Sequence, residues 1–164
     1  MSVYETISVA LQVTIGVVAF ATLFLYYRQL RVMSGQLSAM QESSKAQSAL
    51  SLVDFLQASD VRAARTVVRS LSGKPLADWS KDEKECASRV AANYDVAAAL
   101  IRAGLAPVDL IATNWGPSIR HCHQIVQPFI TKQRERPGGD PHYWSNFDWL
   151  VDQATRSREK GFRL

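Results

Sequence analysis

The stretch that decides the fold is residues 9–33, VALQVTIGVVAFATLFLYYRQLRVM. No charged residue occurs between Glu5 and Arg28, so Ile7 to Tyr27 is an uncharged run of 21 residues. At about 1.5 Å rise per residue such a helix covers roughly 30 Å, the thickness of a bilayer's hydrocarbon core. Its polar side chains, Ser8, Gln12, Thr14 and Thr22, are not ionisable. Serine and threonine also bond back to helix carbonyls, which lowers their cost in lipid. A cleaved secretory signal fits poorly, because its flank should be basic and its apolar core shorter. Here the flank carries Glu5, and YYRQLRVM follows in place of a small-residue cleavage site. Soluble core helices rarely run so far without a charge. The sequence therefore predicts a transmembrane helix over 7–27.

Arg28 and Arg31 lie just after the span and only an acidic residue lies before it. The positive-inside rule then puts the following domain in the cytoplasm and residues 1–6 outside, in a single-pass protein of the inner (plasma) membrane. Tyr26 and Tyr27, with Arg28 and Arg31, occupy the expected interfacial anchor positions. Within the span, Gln12, Gly16, Ala19 and Thr22 are the candidates for helix–helix contact in lipid.

The chain has 164 residues, enough for one span and one domain of about 100 residues. Its net charge is +4, and setting aside the −1 of Glu5 leaves +5 beyond the span. That excess favours anionic headgroups. Basic residues interleaved with stacking aromatics, the signature of nucleic-acid binding, are not evident. Cys86 and Cys122 form no CxxC pair or disulfide framework and read as reduced, buried residues.

Helical patterns dominate beyond the span, and no alternating run with hairpin turns argues for a sheet. Leu23, Tyr26, Leu30, Met33, Leu37 and Met40 recur at spacings of three and four. This seam, with Leu30, Met33, Leu37 and Met40 as its cytoplasmic part, can pair identical chains or pack on its own domain. It predicts that the first helix continues as a linker over 28–58. Helices of a compact domain over 59–159 follow, with a basic tail at 160–164. Asp60 is expected to cap a helix whose Arg62, Arg65 and Arg69 share a solvated face that lipid or an acidic partner can touch. Ser80 and Glu83 form a capping box, and Gly104 is a C′ stop. Pro107 opens a short helix to about Thr113, Trp115-Gly116-Pro117 makes a turn, and the next helix kinks at Pro128. Asp140 and Pro141 open the last helix, on which Tyr143, Phe147, Leu150, Val151 and Ala154 share the core face by spacing and Trp149 falls off that face, free for a partner or lipid.

No catalytic constellation emerges. His121 and His123 point about 200° apart on a helix and cannot share a metal ion. Asp148 and Asp152 form an i, i+4 carboxylate pair better explained by exposure or by a basic neighbour of Asp148. No phosphate loop, cofactor motif or metal-ligand set is present.

Three stretches, SALSLVDFLQ (48–57), TNWGPSI (113–119) and YWSNFDWL (143–150), carry a resemblance. The chain resembles, over roughly Gln36 to Leu150, a bacterial family known only as a domain of unknown function. The resemblance implies a single N-terminal span, a helical linker and a compact helical cytoplasmic domain, and it implies no catalytic residues.

The expected fold is all-α: a membrane helix continuing into a linker helix, then a bundle of about five helices. The expected function is a non-enzymatic, membrane-anchored interaction or scaffold protein, homo-oligomeric or part of a larger membrane complex. The expected partners are lipid and protein, with no nucleic acid, cofactor or small-molecule ligand. Two alternatives are a tethered sensor or enzyme with a pocket near Tyr94, Cys122 and Trp144, and an oligomeric pore or defence effector. The absence of charge in the span argues against an ion pathway.

Overall fold

The structure, a computed structural model, describes residues 3–161, and their side chains at 7 and 11–159. The segments expected at 1–6 and 160–164 fall outside the fully described part. Five helices make up the chain: α1 (Val3–Gln57), α2 (Ser59–Ser70), α3 (Lys81–Arg102), α4 (Val108–Glu135) and α5 (Ser145–Gly161). A 3-10 turn, Leu76–Asp78, lies between α2 and α3. Among the described residues there is no strand. The chain divides into two units, Met1–Ser44 and Lys45–Leu164.

In the first unit α1 is unbroken and stands alone. No proline occurs before Pro75, and every described side chain from Leu11 to Gln47 is exposed. The continuous helix read from the sequence is present. It ends at Ala58, whose φ of −53° and ψ of 142° turn the chain into α2.

The second unit is a bundle whose core includes the end of α1. Ala49, Leu52 and Leu56 are buried with Val68, Tyr94, Ile111, Ile130, Phe147 and Leu150. The linker expected to run to residue 58 thus gives its last turns to the bundle, because Ala49, Leu52 and Leu56 recur at i, i+3 and i+7 on one face. Aromatic contacts join the layers: Tyr94 stacks on Phe147 at 5.1 Å, and Trp79 on Phe129 at 6.3 Å.

Local sequence sets the ends of α3. Glu83 N–H donates to Ser80 Oγ at 3.2 Å, and Ser80 N–H donates to Glu83 Oε2 at 2.6 Å, completing the capping box. At the other end Gly104 has φ of 76°, its N–H donates to Ile101 O, and Leu105 N–H donates to Leu100 O. These two bonds form a Schellman motif, which needs a left-handed residue at C′.

Three local expectations give way. Ala58, not Asp60, is the N-cap of α2, and Asp60 lies in the first turn, where the helix dipole favours it. The Trp115-Gly116-Pro117 turn does not form: α4 is one helix through Pro117 and Pro128. Packing overrides local preference at that point. A Cβ on Gly116 would sit 3.2 Å from Arg120 Nη1 and 3.6 Å from Ala154 Cβ, so the glycine lets α4 and α5 approach closely inside a continuous helix. The last helix opens at Ser145, not at Asp140-Pro141, because Trp144 takes a left-handed φ of 59° that no helix can include.

Leu56 is fully buried and Leu50, on the same helix, is 66% exposed. Leu56→Ala should cost about 2–5 kcal/mol and Leu50→Ala within about 0.5 kcal/mol. Chemical denaturation of the full chain in detergent checks the contrast. A second prediction concerns acid. The Lys74 ammonium, 2.8 Å from Glu83, and then the Ser80 N–H hold the Glu83 carboxyl below its ordinary pKa. A depressed carboxylate stabilises the fold above its unfolded pKa and loses that contribution as pH falls through the folded value. Glu83→Gln should therefore flatten the acid limb of the stability profile below about pH 4.5, measured by thermal melts between pH 3 and 7.

Candidate functional site

The uncharged part of α1 presents apolar side chains all round. Ile7, Leu11, Ile15, Val18, Phe20, Leu23 and Leu25 are each exposed. One helix is thus long and apolar enough to cross a membrane: an 18-residue window within its described part has mean hydropathy 1.4 and none of it is buried. Thr22 Oγ1 donates to Val18 O at 2.8 Å, so its hydroxyl is satisfied by its own helix. Gln12, Gly16, Ala19 and Thr22 lie at i, i+4, i+7 and i+10, on one face, all exposed. Tyr26, Tyr27, Arg28 and Arg31 follow, also exposed, and then the seam of Leu30, Met33, Leu37 and Met40.

The polar residues of the bundle are used in a different way. Asp148, at the start of α5, accepts from two partners on α4. Its Oδ1 lies 2.8 Å from His123 Nε2, and its Oδ2 accepts from Arg134 Nη2 at 2.6 Å. Arg134 Nε also donates to Tyr143 O at 2.8 Å. His123 meets Phe147 edge-on at 4.9 Å. Asp152 is exposed and takes no part. The basic neighbour of Asp148 is therefore real, and the carboxylate pair is not a unit. His121 and His123 diverge as their spacing requires: His121 is exposed on a cleft with Lys74 and Gln124. Among the described residues no group of three or more His, Cys, Asp or Glu side chains is placed to hold a metal ion.

A second knot docks α5. Asp95 on α3 accepts from Phe147 N–H at 3.1 Å and from Asn146 Nδ2 at 3.3 Å, and so caps the first turn of α5 from another helix. Arg102 Nη1 donates to Asn146 Oδ1 at 2.7 Å, and its guanidinium lies 5.7 Å from the Trp149 ring. Trp149 is accordingly half-buried beneath an arginine, not standing free. Sequence reasoning missed Asp95, whose signal is non-local.

The third knot takes one arginine, Arg65, out of the solvated face. Arg62 is exposed, but Arg65 is 6% exposed, and its Nη2 donates to Leu56 O at 2.7 Å at the end of α1. Its Nη1 is buried with no partner. Arg69 Nη2 donates to Ser118 Oγ at 2.8 Å, and that hydroxyl lies 3.0 Å from Tyr94 Oη. Arg65 turns inward because it shares a face with the buried Val61, Ala64 and Val68, whereas Arg69, like Arg62, stays exposed. Burial pushes the Cys122 thiol up despite the nearby Arg65 and Arg69 charges, and burial likewise raises Tyr94. Tyr94, Cys122 and Trp144, the expected surroundings of a pocket, are each more than nine-tenths buried core residues. Two open clefts lie elsewhere on the bundle, one of about 370 Å³ beside His121 and one of about 390 Å³ between Ala49 and Pro107.

A raised thiol with no exposure is a poor nucleophile, whereas Cys86 is partly accessible. Iodoacetamide at neutral pH should modify Cys86 in the folded chain and reach Cys122 only after denaturation, as intact mass will report. Fast modification of Cys122 in the native state would contradict this packing.

No curated protein and no solved structure matches this chain. The match that does exist takes in both the apolar helix and the bundle, beginning before the span and ending in α5. Over residues 6–154 the sequence fits one family model, and the chain belongs to that family, described as a domain of unknown function (DUF4760).

Proposed function

We propose that this chain is a non-enzymatic, single-pass membrane protein whose helical bundle serves as an interaction or scaffold module. It assembles with copies of itself or as an accessory subunit of a larger membrane complex. The observation that carries this reading is a contrast. The described apolar residues of α1 from Leu11 to Leu25, and Ile7, are exposed, while Arg65, Asp95, His123 and Asp148 of the bundle are spent on its own packing. The side chains a catalytic reading would recruit, Asp148, His123 and Cys122, hold helices together. In this reading residues 7–27 span the inner (plasma) membrane. Arg28 and Arg31 keep the bundle on the cytoplasmic side, and Tyr26 and Tyr27 sit at the interface. The anchor confines the bundle to a thin layer and raises its effective concentration for membrane partners.

The test has two arms. In carbonate-washed membranes the intact chain should stay in the pellet. Val17→Lys with Ala21→Lys should release it, since each mid-span lysine costs about 2.5–3.5 kcal/mol on insertion scales. Crosslinking in native membranes followed by mass spectrometry should then find a protein neighbour. A chain that is freely soluble without detergent, or strictly monomeric with no neighbour, would overturn the proposal.

A further inference from the structure

The seam of α1 has a feature that selects its partner. Alternating spacings of three and four assign Leu30 and Leu37 to a positions and Met33 and Met40 to d positions of a heptad. In the folded chain these four side chains are 57 to 70% exposed. The flanking e and g positions are Tyr27, Gln29, Ser34, Gln36, Gln41 and Ser43, and none is charged. The charges of this stretch fall elsewhere. Arg28 and Glu42 take f positions, and Arg31 and Lys45 take b positions, pointing away from the seam.

We propose that this face is covered by the same face of a second copy of the chain, in a parallel and in-register pair. Coiled coils that choose a different partner do so with opposite charges at e and g, and like charges there keep identical chains apart. A neutral rim of glutamine, serine and tyrosine does neither, so an identical helix meets no repulsion. The pairing deepens the membrane-anchored reading and rests on it. Two copies held by the same span enter the membrane in the same direction and at the same depth. Each a residue then faces its own counterpart with no shift of register. The apolar seam stops where a and d become Ser44 and Gln47, next to the boundary at Lys45 where the bundle unit begins. The pair is therefore confined to about two heptads beyond the bilayer. That is too short to hold two chains together in water, yet sufficient once the anchors supply a high local concentration.

The test is disulfide trapping of the full chain in native membranes. Cys86→Ser removes the accessible thiol, and Cys122 stays in its core. Leu30→Cys, Met33→Cys, Leu37→Cys and Met40→Cys should each give a homodimer band on mild oxidation. Arg31→Cys, Gly35→Cys and Glu42→Cys should give none. Leu30→Ser with Leu37→Ser should abolish the band at position 33. A flat profile, a maximum on the 31/35/42 face, or crosslinks solely to another protein would overturn the pairing. Carbonate fractionation of the same samples separates the two readings. Membrane-bound chain with a flat profile removes the pairing alone, and chain in the supernatant removes the anchor and the pairing together.

Discussion

The constraint on which the rest depends is apolar surface that the chain itself leaves uncovered. Ten Ile, Leu, Val and Phe side chains between Ile7 and Leu25 are exposed on an isolated helix. Leaving each of them in water forgoes about 1.5–3 kcal/mol, so the sum exceeds the roughly 5–15 kcal/mol of net stability that a typical domain possesses. A surrounding medium or partner must supply the missing burial. A helix satisfies its own backbone hydrogen bonds, and Thr22 returns its hydroxyl to Val18 O, so lipid can be that medium. The same reasoning explains why the division between units falls inside α1. From Leu11 to Ser44 its described side chains are exposed, and from Ala49 onward Ala49, Leu52 and Leu56 enter a core.

Within the bundle, arginine acts as internal cement. Arg65 donates to Leu56 O, Arg120 to Ala154 O at 2.6 Å, and Arg134 to Tyr143 O. Arg69 reaches Ser118, and Arg102 reaches Asn146 while covering Trp149. A guanidinium offers five donors in a planar fork, so one side chain can hold a carbonyl of one helix from the flank of another. Five of the chain's 19 basic residues are thus tied to its own helices. Net charge counts residues and says nothing about where their donors point. Arg28 and Arg31, just after the uncharged run, are both exposed and make no part of this packing.

What was legible in the sequence was local. The uncharged run, the Ser80–Glu83 box and the Gly104 stop each depend on residues within a few positions of one another, and the structure contains all three. What was not legible depends on distant residues. Pro117 would end an isolated helix, but the close contact of Gly116 with Ala154 of α5 keeps α4 continuous through the site. Trp144 pays for its left-handed backbone through its burial against Tyr143 and Phe129 and through the Asp95 cap on the next turn. Asp95 lies 52 positions from the N–H it accepts, and no spacing rule links them. Asp148 drew notice as half of a carboxylate pair with Asp152, the pattern that general acid–base chemistry uses. Its second oxygen on Arg134 shows a different use, a two-sided clamp between α4 and α5.

The Arg65 contact bears on where the domain begins. Among the described residues no ion pair reaches this buried guanidinium, and its Nη2 donates to a carbonyl in the last turn of α1. The negative end of a helix dipole is a fitting partner for a cation, contributing up to about 2 kcal/mol in partly buried geometry. An α2–α5 fragment that started at residue 59 would lose that carbonyl, along with Ala49, Leu52 and Leu56 from the core. It would keep a buried charge with nothing to compensate it, which is far more costly than losing an exposed ion pair. The bundle is thus not a cargo hung from a separable stalk. Its stability is written partly in the last turns of α1, and a fragment that keeps every one of these buried residues must include Ala49.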